Sequence, residues 1–158
     1  MTKEDTDRPI LVPVDFSAYS EAALLCAADL AHMLGSPLTI LHVIHDPGDA
    51  PGYYSVKGRD KQLERLEDVA AGMLEEFLKK VRDEHPGRVA LQDASTSLVT
   101  GLPVNRILEA AKKHRARMIV MGSQGRTGLA HMMLGSKAEQ VVRLSSIPVT
   151  IVKDGGQK

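Results

Sequence analysis

The chain has 158 residues, of which 43% are hydrophobic and 25% are charged, so we expect one ordinary globular domain and no disorder. No apolar run approaches the ~20 residues of a membrane span, and the polar start MTKEDTDR does not resemble a signal peptide. The one cysteine excludes a disulfide framework. We therefore expect a cytoplasmic chain with no membrane partner. Aromatic residues make up only 3%, which excludes an aromatic platform for single-stranded nucleic acid, and the formal net charge is zero.

The chain begins with a strand and a helix. Residues 10–14, ILVPV, predict a short apolar strand. Helical spacing predicts a helix over 18–34, with Ser17 as its N-cap and Gly35 as its stop. The apolar face of this helix is predicted from Ala22, Leu25, Cys26, Leu30 and Met33.

A second strand and a longer helix follow. Residues 38–44, LTILHVI, form another β-branched apolar run, and the Gly, Pro, Asp and Tyr residues after it predict a loop over about 45–60 that we expect to be mobile. An amphipathic helix then runs to about His85. Its apolar face is predicted by steps of three and four along Leu63, Leu66, Ala70, Met73, Phe77 and Val81.

The same alternation continues to the end of the chain. A third strand lies within residues 88–100, where Asp and several Ser and Thr residues leave its limits open. Gly101-Leu102-Pro103 leads into a third helix, and residues 117–121, RMIVM, predict a fourth strand. After a Gly-rich loop, we expect a helix over about 136–144 and a fifth strand over 148–152.

Five strands separated by four crossovers predict an α/β fold with a mainly parallel sheet. Strands 1, 2, 4 and 5 are continuously apolar, as parallel strands buried on both faces should be. There is no internal repeat and no linker. We therefore expect a single domain over 1–158 with its core at about 8–153.

Two strand ends carry residues that could bind a ligand. In such folds, ligands lie beyond the carboxyl ends of the strands, where the strand order reverses. Strand 1 ends in Val14-Asp15-Phe16-Ser17, which has no glycine and so excludes a GxGxxG dinucleotide motif. Strand 4 ends in a Gly-rich segment, but the chain lacks the Gly-Lys-Ser/Thr of a P-loop.

The Gly-rich segment follows the pattern Gly122-x2-Gly125-x9-Gly135-Ser136. Glycines let backbone N–H groups approach an anion, and a helix that starts here adds free N–H donors and the positive end of its dipole. Arg126 and Lys137 add positive charge nearby. The pattern suits a triphosphate; the alternative is that the glycines only shape a strand-to-helix connection.

The 32-residue block MGSQGRTGLAHMMLGSKAEQVVRLSSIPVTIV is similar to the C-terminal signature of the universal stress protein family, whose nucleotide-binding members carry G-x2-G-x9-G-[ST]. ILVPVDFS and Leu41-His42-Val43 resemble the first two strands of that family, and Gly101-x-Pro103 fits as well. The resemblance implies a three-layer sandwich of the adenine nucleotide alpha hydrolase type, with a five-stranded parallel sheet ordered 3-2-1-4-5. Strands 1 and 4 are then neighbours.

The resemblance also implies which residues bind the adenine base of ATP. Asp15 matches the aspartate that contacts adenine, and Val43 matches the residue whose backbone does the same. Pro13 and Val14 would line the base pocket. An alternative role for Asp15 is that of a helix N-cap, although Ser17 already fits that position.

The remaining matches concern the ribose and the phosphates. Met121, Gly122 and Gly125 match the ribose and phosphate loop. Gly135 and Ser136 match the phosphate end, where a divalent ion such as Mg²⁺ can bridge phosphate oxygens.

The distribution of charge agrees with an anionic ligand in the C-terminal third. Residues 1–104 hold 10 Lys/Arg and 17 Asp/Glu, a balance of −7, whereas residues 105–158 hold 10 and 3, a balance of +7. Two positions depart from the common family pattern. Gln124 stands where His or Arg is frequent and removes a possible charge, and Lys137 stands where Val is frequent and restores one, so the preference among ATP, ADP and AMP stays open.

Other candidate residues have simpler interpretations. His42 and His45 lie on opposite faces of a strand, so we expect no metal site. Cys26 is expected in the core, and the basic run Lys112–Arg117 is expected to be a solvated helix end and not a nucleic-acid site. Tyr53-Tyr54, in the long loop, could contact a ligand or a partner or simply be exposed.

The leading functional hypothesis is an ATP-binding universal stress protein that acts as a regulatory or adaptor module in the stress response, with an unidentified protein partner. No general base or carboxylate pair accompanies the Gly-rich segment, so we expect no enzyme and no catalytic residue. One alternative is an adenylyl- or phosphoryl-transferring enzyme, either a slow ATPase or one that phosphorylates itself at Ser136 or Thr127. The other is a scaffold that binds no nucleotide.

We also expect a homodimer, with higher oligomers open, formed through strand 5. In the order 3-2-1-4-5 this strand is a sheet edge, and Pro148–Val152 is apolar and uncharged. The family resemblance points the same way, since many members dimerise through this strand. The alternative is that the polar tail, Asp154–Lys158, covers the edge.

Overall fold

In the computed structural model, residues 7–45, 66–125 and 134–153 are described, and they form a five-stranded parallel sheet covered by helices on both faces. The strand order is β3-β2-β1-β4-β5, so the predicted fold class is confirmed. The elements are β1 (Ile10–Pro13), α1 (Ala18–Leu34), β2 (Leu38–Ile44), α2 (Leu66–Glu84), α3 (Val89–Gln92), β3 (Ser95–Thr100), α4 (Pro103–Lys113), β4 (Met118–Gly122), α5 (Ser136–Leu144) and β5 (Val149–Val152). None of the described helices combines the length and the apolar character that a membrane span requires.

The two strands at the reversal of order separate before they end. β1 pairs with β2 along its whole length, from Ile10 with Leu38 to Pro13 with Leu41. It pairs with β4 only at Ile10 with Met118 and at Leu11 with Ile119, although both strands continue. This separation opens a crevice at the carboxyl edge of the sheet, where ligands of this architecture bind.

Two large hydrophobic clusters form most of the core, one on each face of the sheet, and a smaller one contains Ile44 and Ala70. The cluster on the face of α1, α2 and α3 contains the alternate strand residues Ile10, Val12 and Ile40. The cluster on the face of α4 and α5 contains Leu11 and Leu41. The three inner strands are buried on both faces, as their apolar sequences predict. β5 differs, because three of its four residues are apolar but all four are only half-buried at the sheet edge.

The predicted apolar face of α1 is wrong. The fully buried residues of this helix are mostly alanines (Ala23, Ala27, Ala28 and Ala31, with Leu24), whereas Leu25, Cys26 and Leu30 are half-buried and Met33 is 73% exposed. The larger side chains suggested the opposite face. Alanines face the sheet because their small side chains let the helix axis approach it closely.

Smaller differences concern α2 and the region before β3. In α2 the fully buried leucines are Leu74 and Leu78, which the predicted stripe omits, while Met73 and Phe77 are half-buried. The short helix α3 was not predicted, because its single buried anchor, Leu91, gives no periodicity. Residues 46–60 of the expected mobile loop lie outside the described part of the chain.

Candidate functional site

The turn after β1 places Asp15 at the mouth of the crevice. Oδ1 of Asp15 accepts hydrogen bonds from the backbone N–H of Ser17 at 3.1 Å and from the Ser17 hydroxyl at 2.5 Å. The Ser17 oxygen in turn accepts the N–H of Ser20 at 3.1 Å, which makes it the N-cap of α1, as predicted. The capping role therefore belongs to Ser17, and Asp15 orients the capping residue.

A buried histidine lies beneath this turn. His42 of β2 is 1% exposed, and its Nδ1 lies 2.8 Å from the carbonyl oxygen of Val14. The ring of Phe16 stacks on the imidazole with centroids 4.4 Å apart and also contacts Phe77 of α2 at 5.6 Å. Phe16 has φ 68°, a left-handed conformation that is uncommon for an aromatic residue.

Two glycines of the Gly-rich pattern lie where other parts of the chain approach closely. A Cβ at residue 122 would lie 2.8 Å from backbone atoms of Tyr19, so Gly122 lets the first turn of α1 pack against β4. A Cβ at residue 125 would lie 2.8 Å from Oδ2 of Asp15. Gly125 therefore brings the loop after β4 against the carboxylate after β1, and the two strand ends meet in the crevice.

The third glycine fixes the start of α5 to the same loop. The N–H of Gly135 donates to the carbonyl of Ser123 at 2.8 Å. Gly135 is the N-cap residue of α5, and among the described residues no side-chain hydrogen bond caps this helix, in contrast to α1. Ser136 and Lys137 are exposed in its first turn. The first N–H groups of a helix have no partner within the helix, so this end suits an anionic acceptor.

The other predicted site residues at the strand ends lie on different faces of the sheet. Val43 and Met121 are buried in the cluster on the α4–α5 face, at the carboxyl ends of β2 and β4. Pro13 ends β1 and is half-buried. The side chain of Val14 packs in the opposite cluster, with α1 and α2. Its backbone N–H donates to the carbonyl of Leu41 at 2.8 Å, so Val14 contributes backbone more than side chain to this edge.

The remaining candidates fall outside the described residues. Arg126 and Thr127 lie in the segment 126–133, and Tyr53-Tyr54 lie in the segment 46–65. Their predicted roles stay predictions.

The model of the universal stress protein family matches residues 7–153. The chain belongs to this family. Universal stress protein YxiE of Bacillus subtilis is 33% identical over 146 residues, which cover 91% of this chain and 97% of the relative. Universal stress protein MJ0531 of Methanocaldococcus jannaschii is 30% identical over 150 residues, which cover 95% and 84%.

Solved structures of universal stress proteins share the architecture. UspA from Lactobacillus plantarum matches with a TM-score of 0.72 at 27% identity, covering 92% of this chain and 97% of that one. Two structures at 23% identity show the same fold, a universal stress protein in complex with cAMP (TM-score 0.63, covering 94% and 98%) and one from Archaeoglobus fulgidus in complex with dAMP (TM-score 0.59, covering 94% and 99%).

Part of the basic run of this universal stress protein has a structural role at the other end of the sheet. The carbonyl of Arg115 accepts a hydrogen bond from Nε of Arg8 at 3.2 Å. Nη1 of Arg117 donates to the Ser36 hydroxyl at 2.7 Å. These contacts tie together the segments that precede β1, β2 and β4. The run therefore lies at the amino edge of the sheet, away from the crevice.

Two further groups were weighed as reactive or metal-binding. Cys26 is half-buried, and burial, with a smaller effect of Asp29, raises the pKa of its thiol, as suits an inert core residue. Glu21, Glu84 and His85 bring potential ligand atoms within 4.8 Å of one another, which the sequence analysis missed. Lys80 lies 3.2 Å from Glu21, and Arg88 lies 3.0 Å from Nδ1 of His85. The cluster is therefore an ion-pair network that already contains its cations.

A second groove lies between β3 and α4 and shares no residue with the crevice. It has a volume of about 440 Å³ and is lined by polar and charged side chains that include Ser97, Thr100, Arg106, Glu109 and Lys113. Arg106 is engaged, with Nη1 2.6 Å from Glu109 and Nε 2.9 Å from the carbonyl of Thr100. This groove provides a location against which a ligand in the crevice can be tested.

Proposed function

We propose that this universal stress protein binds an adenine nucleotide, with ATP the expected ligand, in the crevice between β1 and β4. The observation that carries the proposal is the meeting of the Asp15 carboxylate with Gly125 at the point where the two strands separate. A charged acceptor beside a glycine-lined loop suits a ligand with a polar base at one end and phosphates at the other. The cAMP and dAMP complexes of distant family members support the same ligand class.

At the base end, Asp15 provides the basis for recognising adenine. An ionised carboxylate only accepts hydrogen bonds, and the exocyclic amino group of adenine is a donor. Guanine presents an oxygen at the corresponding position, so it would be repelled. The backbone of Val43 and the side chain of Pro13 complete this end in the proposal, while Val14 contributes through its position in the strand.

At the phosphate end, the proposal assigns the backbone of Met121, Gly122 and Gly125 and the first turn of α5. Within the described part of the chain, no side chain caps the N–H groups of α5, and the helix dipole favours an anion there. Arg126 and Lys137 would add positive charge. Mg²⁺ takes few protein ligands beside phosphate oxygens, and the exposed Ser136 hydroxyl fits as one of them.

We propose that nucleotide occupancy, rather than turnover, is the signal of this module in the cytoplasm. The relatives described above carry the name of universal stress proteins and not of enzymes. In the described part of the crevice, Asp15 is the titratable group that faces the loop, and its Oδ1 is engaged by Ser17. A nucleotide-loaded form that a regulatory partner protein recognises follows as the role of the module.

The proposal includes a homodimer formed through β5. Ile119 donates to the carbonyl of Pro148, and Ser123 donates to that of Val152, so the even-numbered residues of β5 face β4. By alternation, the backbone groups of Val149 and Ile151 point to the outer edge. An apolar, half-buried edge with outward N–H and C=O groups suits isologous pairing with a second copy.

Native mass spectrometry of the purified protein tests the nucleotide proposal. We expect a mass that includes an adenine nucleotide, or one that appears on adding AMP and not GMP. In Asp15→Asn, which keeps one oxygen for Ser17, we expect the preference for AMP over GMP to fall by about tenfold, the value of one hydrogen bond to a charged group. Equal binding of AMP and GMP to the unsubstituted protein would refute the assignment of Asp15.

The same measurement tests the dimer. Val149→Pro removes an outward N–H and should give a folded monomer, whereas Thr150→Pro removes an N–H of the ladder to β4 and should lower stability. A dimeric mass for Val149→Pro would move the interface to another surface.

A further inference from the structure

His42 contacts the end of β1 through a hydrogen bond to the backbone. Its Nδ1 lies 2.8 Å from the carbonyl oxygen of Val14, and because a carbonyl can only accept, Nδ1 carries the hydrogen. The side chain is 1% exposed, so this bond is shielded from water. His42 thereby fixes the last peptide group before Asp15 to the neighbouring strand.

Phe16 holds the other side of Asp15. Its φ of 68° is a conformation that β-carbon sterics disfavour, so the surrounding structure must impose it. The surroundings that do so are aromatic: the ring stacks on His42 at 4.4 Å with an interplanar angle of 28° and packs against Phe77 at 5.6 Å. The rings of His42 and Phe77 thus select the backbone turn.

The direction of the Asp15 carboxylate follows from this turn. Asp15 lies between the peptide that His42 fixes and the residue whose ring His42 stacks against. One carboxylate oxygen is held by Ser17, and the other lies close to Gly125 of the loop after β4. Phe16 packs against the cluster on the α1–α2 face, whereas Val43, assigned to the base end, and Met121, assigned to the phosphate end, belong to the opposite cluster.

We propose that His42 and Phe16 are positioning residues of the nucleotide site, which act through the Val14–Ser17 turn to aim the Asp15 carboxylate into the crevice. The inference rests on the proposed function for its ligand and on the turn geometry for its mechanism. It predicts that substitutions of these two residues, which pack behind the turn, weaken nucleotide binding without removing any ligand contact.

The charged groups around His42 are consistent with a neutral imidazole in this role. Burial lowers the pKa of His42 most, the hydrogen bond to Val14 and the charge of Asp15 act to raise it, and His45 acts to lower it. The neutral ring keeps Nδ1–H as the donor to Val14.

The test compares AMP binding by calorimetry in substituted full-length protein. Phe16→Gly relieves the backbone strain but removes the ring, and His42→Phe keeps a ring but removes the donor. We expect each to weaken AMP binding by about tenfold, as the loss of one buried interaction implies. Phe16→Tyr, which keeps the stacked ring, should bind like the unsubstituted protein. Leu91→Ala is the matched control, because Leu91 is fully buried in the same hydrophobic cluster but lies on α3 and is part of neither the turn nor the loop.

Amide hydrogen exchange provides a readout that does not depend on the ligand. The N–H groups of Ser17 and Ser20 are held by the turn, and the N–H of Ile119, bonded to Pro148, reports on the sheet. We expect faster exchange at Ser17 and Ser20, relative to Ile119, in Phe16→Gly and His42→Phe and not in Leu91→Ala.

The outcomes separate this inference from the proposed function. If the unsubstituted protein binds no AMP, the proposed function fails, and the exchange rates alone decide whether His42 and Phe16 position the turn. Unchanged exchange at Ser17 and Ser20 overturns the inference in either case. Weakening by Leu91→Ala equal to that by Phe16→Gly also overturns it, because the effect is then one of general stability.

Discussion

The two walls of the crevice are built by different means. The wall at the end of β1 is held by side chains: Ser17 binds Asp15, and His42 and Phe16 brace the turn. The wall at the end of β4 depends on glycines. Gly122 and Gly125 let neighbouring groups approach to distances that a Cβ would not allow. On the wall after β1, the side-chain wall, we expect substitutions to change stability or binding in small steps. On the wall after β4, the glycine wall, we expect the addition of a single methyl group to cause a large loss.

The largest effect is expected for Gly122→Ala. Its Cβ would lie 2.8 Å from the backbone of Tyr19, which cannot move without shifting α1. Overpacking of this kind costs about 1–3 kcal/mol, so urea denaturation should show a loss of stability in that range. Gly72→Ala is the control, because nothing lies within 4 Å of its Cβ and alanine is the better helix former by about 1 kcal/mol. Equal stability of both variants would show that α1 does not lie against Gly122.

Gly125→Ala should separate binding from stability. Its Cβ would lie 2.8 Å from Oδ2 of Asp15. Because this side chain can rotate away, we expect the substitution to change the direction of the carboxylate and to leave the stability of the fold almost unchanged. We expect AMP to bind about tenfold more weakly, as loss of one charged hydrogen bond implies, while the urea midpoint changes little. Unchanged affinity would place the ligand away from Asp15 and Gly125.

The walls should also differ in their response to pH, because the side-chain wall contains a buried titratable group. Burial lowers the pKa of His42 below its ordinary value of 6.5. As the pH falls below 6.5, the unfolded chain takes up a proton that folded His42 does not, so stability falls until the folded pKa is reached. Urea denaturation of His42→Asn, in which the amide can still donate to Val14, should lack this part of the decline. If the free energy of unfolding depends on pH in the same way in His42→Asn and in the unsubstituted protein, His42 is not the group responsible for the decline.

The fold could be predicted from the sequence because strands 1, 2, 4 and 5 carry apolar runs and because α1 carries clear capping residues at both ends. β2 and α5 have the predicted limits, and Ser17 and Gly35 cap α1 as expected. The buried face of α1 could not be predicted correctly, because the periodicity is judged from the large apolar side chains. The alanines that face the sheet are buried because their small side chains let the helix pack closely against it.

The candidate site also has a part that the sequence predicts and a part that it does not. Asp15 and the glycines carry motif signals, so their meeting at the carboxyl edge follows from the strand order. The sequence does not predict the contact of Phe16 with His42, which joins residues 26 positions apart, or the packing of Gly122 against Tyr19. Both are tertiary contacts between residues far apart in the sequence, and no local sequence pattern predicts them.

The smallest effect is expected at Lys137, on the glycine wall. This exposed residue in the first turn of α5 opposes the helix dipole by a few tenths of a kcal/mol up to ~1, a cost that an anion nearby would relieve. Lys137→Val should therefore weaken ATP binding more than adenosine binding in calorimetric titrations. Equal losses for the two ligands would mean that Lys137 points into solvent.

The central claim is the location of the ligand, and amide chemical shifts measured during an ATP titration test it most directly. The account predicts that shifts concentrate on both walls, at Asp15–Ser17, Val43, Met121–Gly125 and Gly135–Lys137. No saturable shifts, or shifts confined to the groove between β3 and α4 around Ser97 and Lys113, would contradict it.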